Sequence, residues 1–252
     1  MLPALPLVAA GRISRDAPAL YKAGPSTTGR RVELHDFIQI VELSLGVSFT
    51  ATAIATAISL PLGCGLAVFA FPGRRLIVVL TNAFFGLPPV VVGLILYLAL
   101  SRSGPLGFFE MLFTPGAMVI AQAVLATPII TALIHRASER AWARYGDHLI
   151  SDGASRLQAI PQILAIIRAD IITAVLAGFG RTVSEVGAVI LVGGNIRGLT
   201  RTMTTTIALQ TSQGDLSLAL ALGAVLVGIS ISISATVFAL AGHARTAGSD
   251  EK

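Results

Sequence analysis

HRASERAWARYGDHLISDGASRLQAIPQILAIIRAD, residues 135–170, is the only long polar segment inside an otherwise apolar body. It carries five arginines and four acids, with a Gly-Ala pair at Gly153 and Ala154. Three long uncharged runs precede it and two follow, so the segment reads as a loop between membrane spans. A loop of this length at one face of a membrane protein is a natural docking surface. Its expected part is mechanical: it receives a push from a soluble partner and passes it to the helices on either side.

Composition sets the class. Of the 252 residues 54% are apolar and 12% charged, and the mean hydropathy is +0.81, whereas soluble domains carry about 25% charge. The chain reads as an all-α, polytopic membrane protein with about five spans of roughly 20 residues, leaving no length for a large soluble domain. The net charge of +5 does not point to nucleic acid, because the arginines are scattered between apolar runs and suit anionic headgroups of the lipid bilayer instead. A lone Cys64 excludes an internal disulfide and a multi-Cys metal site, and no metal is expected.

Residues 1–41 read as a Pro- and Gly-rich basic tail, mostly disordered, whose first ten residues resemble the apolar part of a signal peptide. The membrane domain is expected over residues 42–242 and a short tail over 243–252. The first span, residues 42–71, is dense in Ser44, Gly46, Ser48, Thr50, Thr52, Thr56 and Ser59, small and hydroxyl residues that permit close helix packing in lipid. The second, residues 76–101, is interrupted by GLPPVVVG at residues 86–93, where Pro88 and Pro89 remove backbone donors. That break is either a functional hinge or a plain kink. The third covers residues 114–134 and the fifth residues 216–242.

The fourth span, residues 171–192, contains charge: Arg181 and Glu185 are four apart, on one helix face. Ionisable groups at membrane depth face a bundle interior or a water-filled path. The pair is either a structural tie or part of a translocation path; if coupled, deleting Glu185 alone costs more than deleting both, since it strands a charge. Gly193 and Gly194 then end the helix and open a lip carrying Asn195, Arg197, Thr200, Arg201 and Thr204 to Thr206. These donors suit an oxyanion or a docking binding protein at the extracellular mouth, or they merely cap two helices. Counting basic residues near span ends puts the 135–170 loop and the carboxyl terminus inside and the amino terminus outside. No HExxH or GxSxG motif exists, and His35, His135, His148 and His243 lie outside the apolar runs, which argues against an intramembrane enzyme. An ion-coupled carrier shares the broken helices and buried charges, but no inverted repeat is visible.

Residues 147–168, followed by AVLAGFGRTVSEVGAVILVGGNIRG at residues 174–198, resemble the permease subunits of ABC-type importers, in the branch carrying tungstate and molybdate, and LPPVVVGLILYLAL at residues 87–100 resembles that family's second span. The resemblance covers roughly residues 42–240 and implies a type I importer (MetI-like) permease architecture in a prokaryotic cell membrane. In that family the polar loop carries the EAA motif, whose Gly-Ala pair matches Gly153 and Ala154; the triplet falls on Asp147, His148 and Leu149, of which only the acid is kept in kind. The implied mechanism has two copies forming the pore, each inserting a loop helix at about residues 147–160, including Asp152, Ser155 and Arg156, into a cleft on a cytoplasmic ATPase. A substrate-binding protein loads the outer face. ATP and magnesium are expected on the ATPase: a phosphate loop needs Gly-Lys-Ser/Thr, and Lys22 and Lys252 lie in the tails.

Overall fold

Leaving a membrane does not require a helix to stop. In the computed structural model, which describes residues 27–246, the polar segment begins as the uninterrupted continuation of the third span. The helices run in the order α1 (Thr27–Val68), α2 (Arg74–Phe84), α3 (Pro89–Leu100), α4 (Pro115–Ser151), α5 (Arg156–Ile166), α6 (Arg168–Val183), α7 (Gly187–Gly193), α8 (Met203–Gln213) and α9 (Leu216–Thr246), with a short 3-10 turn at Gly107–Phe109. Among the described residues there is no strand. Residues 1–35 and 36–252 form separate contact units, and the first contributes to the described chain only the opening turns of α1. The expectations for residues 1–26, the signal-like run included, and for residues 247–252 lie outside the described residues.

Among the described residues three helices are long and apolar enough to cross a membrane, and two bent pairs raise the number of candidate spans to five. Those pairs are α2 with α3, bent by 103°, and α5 with α6, bent by 74°. The all-α polytopic class expected from composition is the class observed.

Several boundaries differ from those expected. Helix α1 begins at Thr27, ahead of the span start expected at residue 42, and α9 continues past residue 242 to Thr246. Residues 135–170 are not a loop. Residues 135–151 complete the 37-residue α4, because Ala, Arg and Glu favour helix whether or not lipid surrounds them, and one face stays buried through His135, Ala137, Ser138, Ala141 and Gly146. The region after Gly194, expected as a lip, contains the eleven-residue α8. The fourth span is two helices, α6 and α7, separated at residues 184–186.

Two apolar clusters lie along α4. One gathers Ala55, Cys64, Val68, Ala126, Ile130, Ile134, Ile163 and Ala174 from α1, α4, α5 and α6. The other joins Val47, Val92, Met118, Ala121, Ala188 and Val192 from α1, α3, α4 and α7. A third, around Ile40, Val183, Met203 and Leu222, holds α9. Helices α3 and α7 touch through Gly93, where an added Cβ would stand 2.7 Å from the Ala188 Cα. Because that neighbour is backbone, the whole helix must move to accept a side chain. Gly93→Val should therefore cost about 1–3 kcal/mol by overpacking, whereas Gly65→Ala, with nothing within 4 Å of the new Cβ, should leave the melting temperature of the purified protein unchanged or raise it. Equal melting temperatures for both variants would contradict this packing.

Candidate translocation and coupling sites

The break between α6 and α7 is where ionisable chemistry enters the membrane domain. Three residues outside regular helix would be costly in lipid, so each polar group that the ladder leaves free there needs a partner. Glu185, in the gap, is 4% exposed. One carboxylate oxygen, Oε2, accepts from Arg181 Nη1, and Oε1 accepts the Ala188 N–H at 3.1 Å, capping α7. Its backbone carbonyl accepts from Thr204 Oγ1 at 2.8 Å. One turn earlier the Thr182 carbonyl accepts both the Glu185 N–H at 3.1 Å and Gln122 Nε2 at 3.1 Å. The Thr182 hydroxyl lies 3.1 Å from Thr52 Oγ1, and Ser44 Oγ accepts the Met203 N–H at 2.7 Å. Thus α1, α4 and α8 all bond to or beside the break. Gln122 Oε1 is buried with no protein partner.

Gln122, Thr182, Thr52 and Thr204 were not singled out for this role by sequence reasoning. Gln122 left a usable signal, as an amide inside an otherwise uncharged apolar run. The threonines left none, because hydroxyls are common in packed membrane helices.

The second span is interrupted where expected, between α2 and α3, with Pro88 and Pro89 at the break. Pro88 is the N-cap of α3 and Pro89 its first residue, positions whose N–H groups have no intrahelical acceptor, so no ladder bond is lost. The corner they make lies over the α6–α7 gap: a Cβ on Gly187 would stand 2.8 Å from Val90 Cγ2 and 3.5 Å from Glu185 Oε1. The proposed hinge and the charged pair are therefore neighbours.

The lip residues are largely committed to the fold. Gly194 ends α7 with φ 72°, and the Gly193 carbonyl accepts from Thr200 Oγ1 at 2.5 Å. Asn195 exchanges two bonds with Thr205, accepting from its Oγ1 at 3.0 Å and donating to its carbonyl at 3.4 Å. Of the four, Arg197 alone presents an exposed charge, which pairs with Asp36 of α1. These contacts agree with the capping alternative for Gly193, Gly194 and Asn195. Thr204, Thr205 and Thr206 are buried and belong to the interior network, not to a surface.

At the other site, α4 and α5 form a hairpin in place of the single helix expected over residues 147–160. Asp147, His148 and Leu149 occupy the last turns of α4, and Asp152 is its C-cap. Gly153 adopts φ 87°. The Gly153 N–H bonds the Ile150 carbonyl at 3.0 Å and the Ala154 N–H bonds the Leu149 carbonyl at 3.0 Å, the pattern of a Schellman cap. Ser155 then caps α5 in a reciprocal box with Gln158, and Arg156 opens that helix. The Gly-Ala pair is thus a helix stop followed at once by a helix start. Leu157 and Ile150, 69% and 44% exposed, flank the turn as apolar knobs that sequence reasoning missed. Arg74–Glu139 at 3.0 Å and Arg140–Asp170 at 3.3 Å tie the extension of α4 to α2 and α6; such exposed pairs contribute about 0–1 kcal/mol each.

Over 179 residues the chain is 44% identical to the tungstate uptake system permease protein TupB of Peptoclostridium acidaminophilum, covering 70% of this chain and 77% of that one. The chain belongs to the ABC-transporter permease family. The permease is also 37% identical over 184 residues to a probable anion ABC transporter permease of Haloferax volcanii, covering 71% of this chain and 79% of the relative. It is 32% identical over 192 residues to the molybdenum transport system permease ModB of Escherichia coli, covering 70% and 82%. No protein-family model matches it. Its fold is similar to the methionine ABC transporter MetNI in inward-facing form, with a TM-score of 0.59 and 16% identity over 83% of this chain and 98% of that one. Family membership sets aside the ion-coupled carrier and makes the chain a multi-pass membrane permease subunit, not an enzyme.

Burial in the charged pair is asymmetric, Glu185 at 4% and Arg181 at 33% side-chain exposure. A guanidinium left alone can be solvated, whereas the carboxylate cannot. The costlier single deletion is therefore Arg181→Ala, which strands a buried charge at about 3–5 kcal/mol, and the double variant with Glu185→Ala should recover most of that loss. Thermal unfolding of the purified permease measures both; a double variant as unstable as Arg181→Ala would mean the two groups are not coupled.

Proposed function

We propose that two copies of this permease form the pore of an importer for tetrahedral oxyanions, with tungstate the preferred cargo and molybdate or sulfate as lesser ones. The names of the TupB and ModB relatives support that cargo. ATP and magnesium bind a separate cytoplasmic ATPase, and a binding protein delivers the anion to the outer face. In this arrangement the α4–α5 hairpin projects into the cytosol and the amino terminus lies outside, in keeping with the five arginines of residues 135–170.

The observation that carries the coupling role is the Schellman stop and capping-box start packed into residues 152–155. It presents a short rigid helix with Leu157 exposed at its start and Asp147, His148, Asp152 and Arg156 exposed around the turn. Ile163 and Ile167 bury the opposite face in the same core as α1, α4 and α6. A push on α5 therefore reaches the spans through packed side chains, not through a slack tether.

A residue with a Cβ is strained at φ 87°. Gly153→Leu should lower ATP-driven tungstate uptake by tenfold or more while membrane insertion is unchanged, and Leu157→Asp should reduce ATPase co-purification. Normal uptake by both variants would remove the coupling role. Isotopic tungstate uptake competed with molybdate and with sulfate tests the cargo.

A further inference from the structure

The carboxylate of Glu185 is bonded as a bound anion would be. It sits on the Arg181 guanidinium with one oxygen and on a backbone N–H with the other. The backbone on both sides of it is pinned, by Thr204 at the Glu185 carbonyl and by Gln122 at the Thr182 carbonyl. The buried carboxylate is itself held at both oxygens, Oε1 by the Ala188 N–H and Oε2 by Arg181, so Oε2 is the atom an anion would displace while Oε1 keeps its bond. Arg181 is different: its Nη1 bonds Glu185, no other protein acceptor meets the guanidinium among the described residues, and a third of the side chain is open. The open third of the Arg181 side chain is the side from which an anion would approach, and the bond it would replace is the one to Glu185 Oε2. We propose that Glu185 is a tethered place-holder that the transported oxyanion displaces from Arg181, and that it sets the strength with which the pore holds its cargo.

The argument is one of competition. A pore site must attract its ion enough for entry and release it readily. A lone, partly buried guanidinium would hold a dianion more firmly than it holds a monoanion, because the Coulomb attraction grows with charge and with falling dielectric. A carboxylate fixed beside it returns as the anion departs and neutralises Arg181. The same device favours dianions: a monoanion carries no more charge than the carboxylate it must displace, whereas a tetrahedral dianion is attracted about twice as strongly at equal distance. Glu185 is thus a positioning residue that acts through Arg181. The Val90 corner, adjoining Gly187, places α3 where its movement alters the room available to the Glu185 side chain.

This inference rests on the oxyanion reading above, and the test separates the two. The complete complex, permease with its ATPase, is placed in nanodiscs without binding protein, and equilibrium binding of labelled tungstate is measured for wild type, Glu185→Gln and the double variant with Arg181→Gln. Glutamine keeps an acceptor for the Ala188 N–H but removes the charge. The expected result is at least tenfold tighter binding in Glu185→Gln, loss of that gain in the double variant, and little gain for chloride or nitrate. In vesicles with loaded binding protein, Glu185→Gln should lower maximal uptake while leaving the half-saturating binding-protein concentration unchanged. A merely structural Glu185 predicts reduced thermal stability with no tightening, and that outcome overturns the proposal. So does a gain that survives removal of Arg181. Failure of the wild-type complex to import tungstate sinks the cargo assignment instead.

Discussion

Everything polar in this membrane domain is arranged around one constraint: a chain that leaves helical geometry in lipid must find protein partners for the groups it frees. Residues 184–186 do so, and the partners come from far away in sequence. Thr182 and Glu185 draw in Gln122 from α4 and Thr204 from α8, and Thr52 from α1 closes on the Thr182 hydroxyl. The break is therefore a knot that holds several helices, and the charge pair is embedded in it. Moving any one of those helices strains a hydrogen bond at the knot, which is how a mechanical input can be felt at the only buried carboxylate among the described residues.

The α4–α5 hairpin obeys the opposite rule. The residues of its turn are exposed, so helix stops and starts can be sharp, and the chain uses glycine in the left-handed region, then serine as an N-cap. The stiffness of this joint matters more than its charge. The ion pairs that brace it are exposed and individually weak, whereas Ile163, Ile167 and Trp142 join it to the apolar core. In the proposed coupling role, load entering at Leu157 would run through that core along α4, a helix continuous from Pro115 to Ser151. Its far end carries Met118 and Ala121, which pack with Ala188 and Val192 of α7. The hairpin and the charged break are thus served by one rigid element.

Membrane class, the approximate number of spans, the charged pair and the family were legible in the residues, because each rests on composition or on a local pattern. Apolar runs of the right length are membrane helices whatever they pack against. Arg181 and Glu185 stand out against uncharged neighbours, and Gly153-Ala154 is a motif. Polarity misled at two places, residues 135–151 and 203–213, which were read as loops because they are hydrophilic and fold as helices. A fall in hydropathy marks where lipid ends, not where a helix does. Pro88 and Pro89 marked the break in the second span correctly, and what one dimension could not show is that they start the second half of it, as N-cap and first residue of α3.

What the sequence determined by itself is the medium, the secondary-structure class and the residues that carry charge, all set by side-chain transfer energies that need no partner. Tertiary structure alone decided which carboxylate oxygen caps α7, that Gln122 and Thr204 hold the break, that Arg181 is one-third open while Glu185 is closed, and that the proline corner lies against Gly187. Those are contacts between residues separated by 19 positions for Thr204 and Glu185 and by 60 for Gln122 and Thr182. Hydrogen bonds at such separations depend on how helices pack, and packing is a property of the assembled bundle that no local stretch encodes.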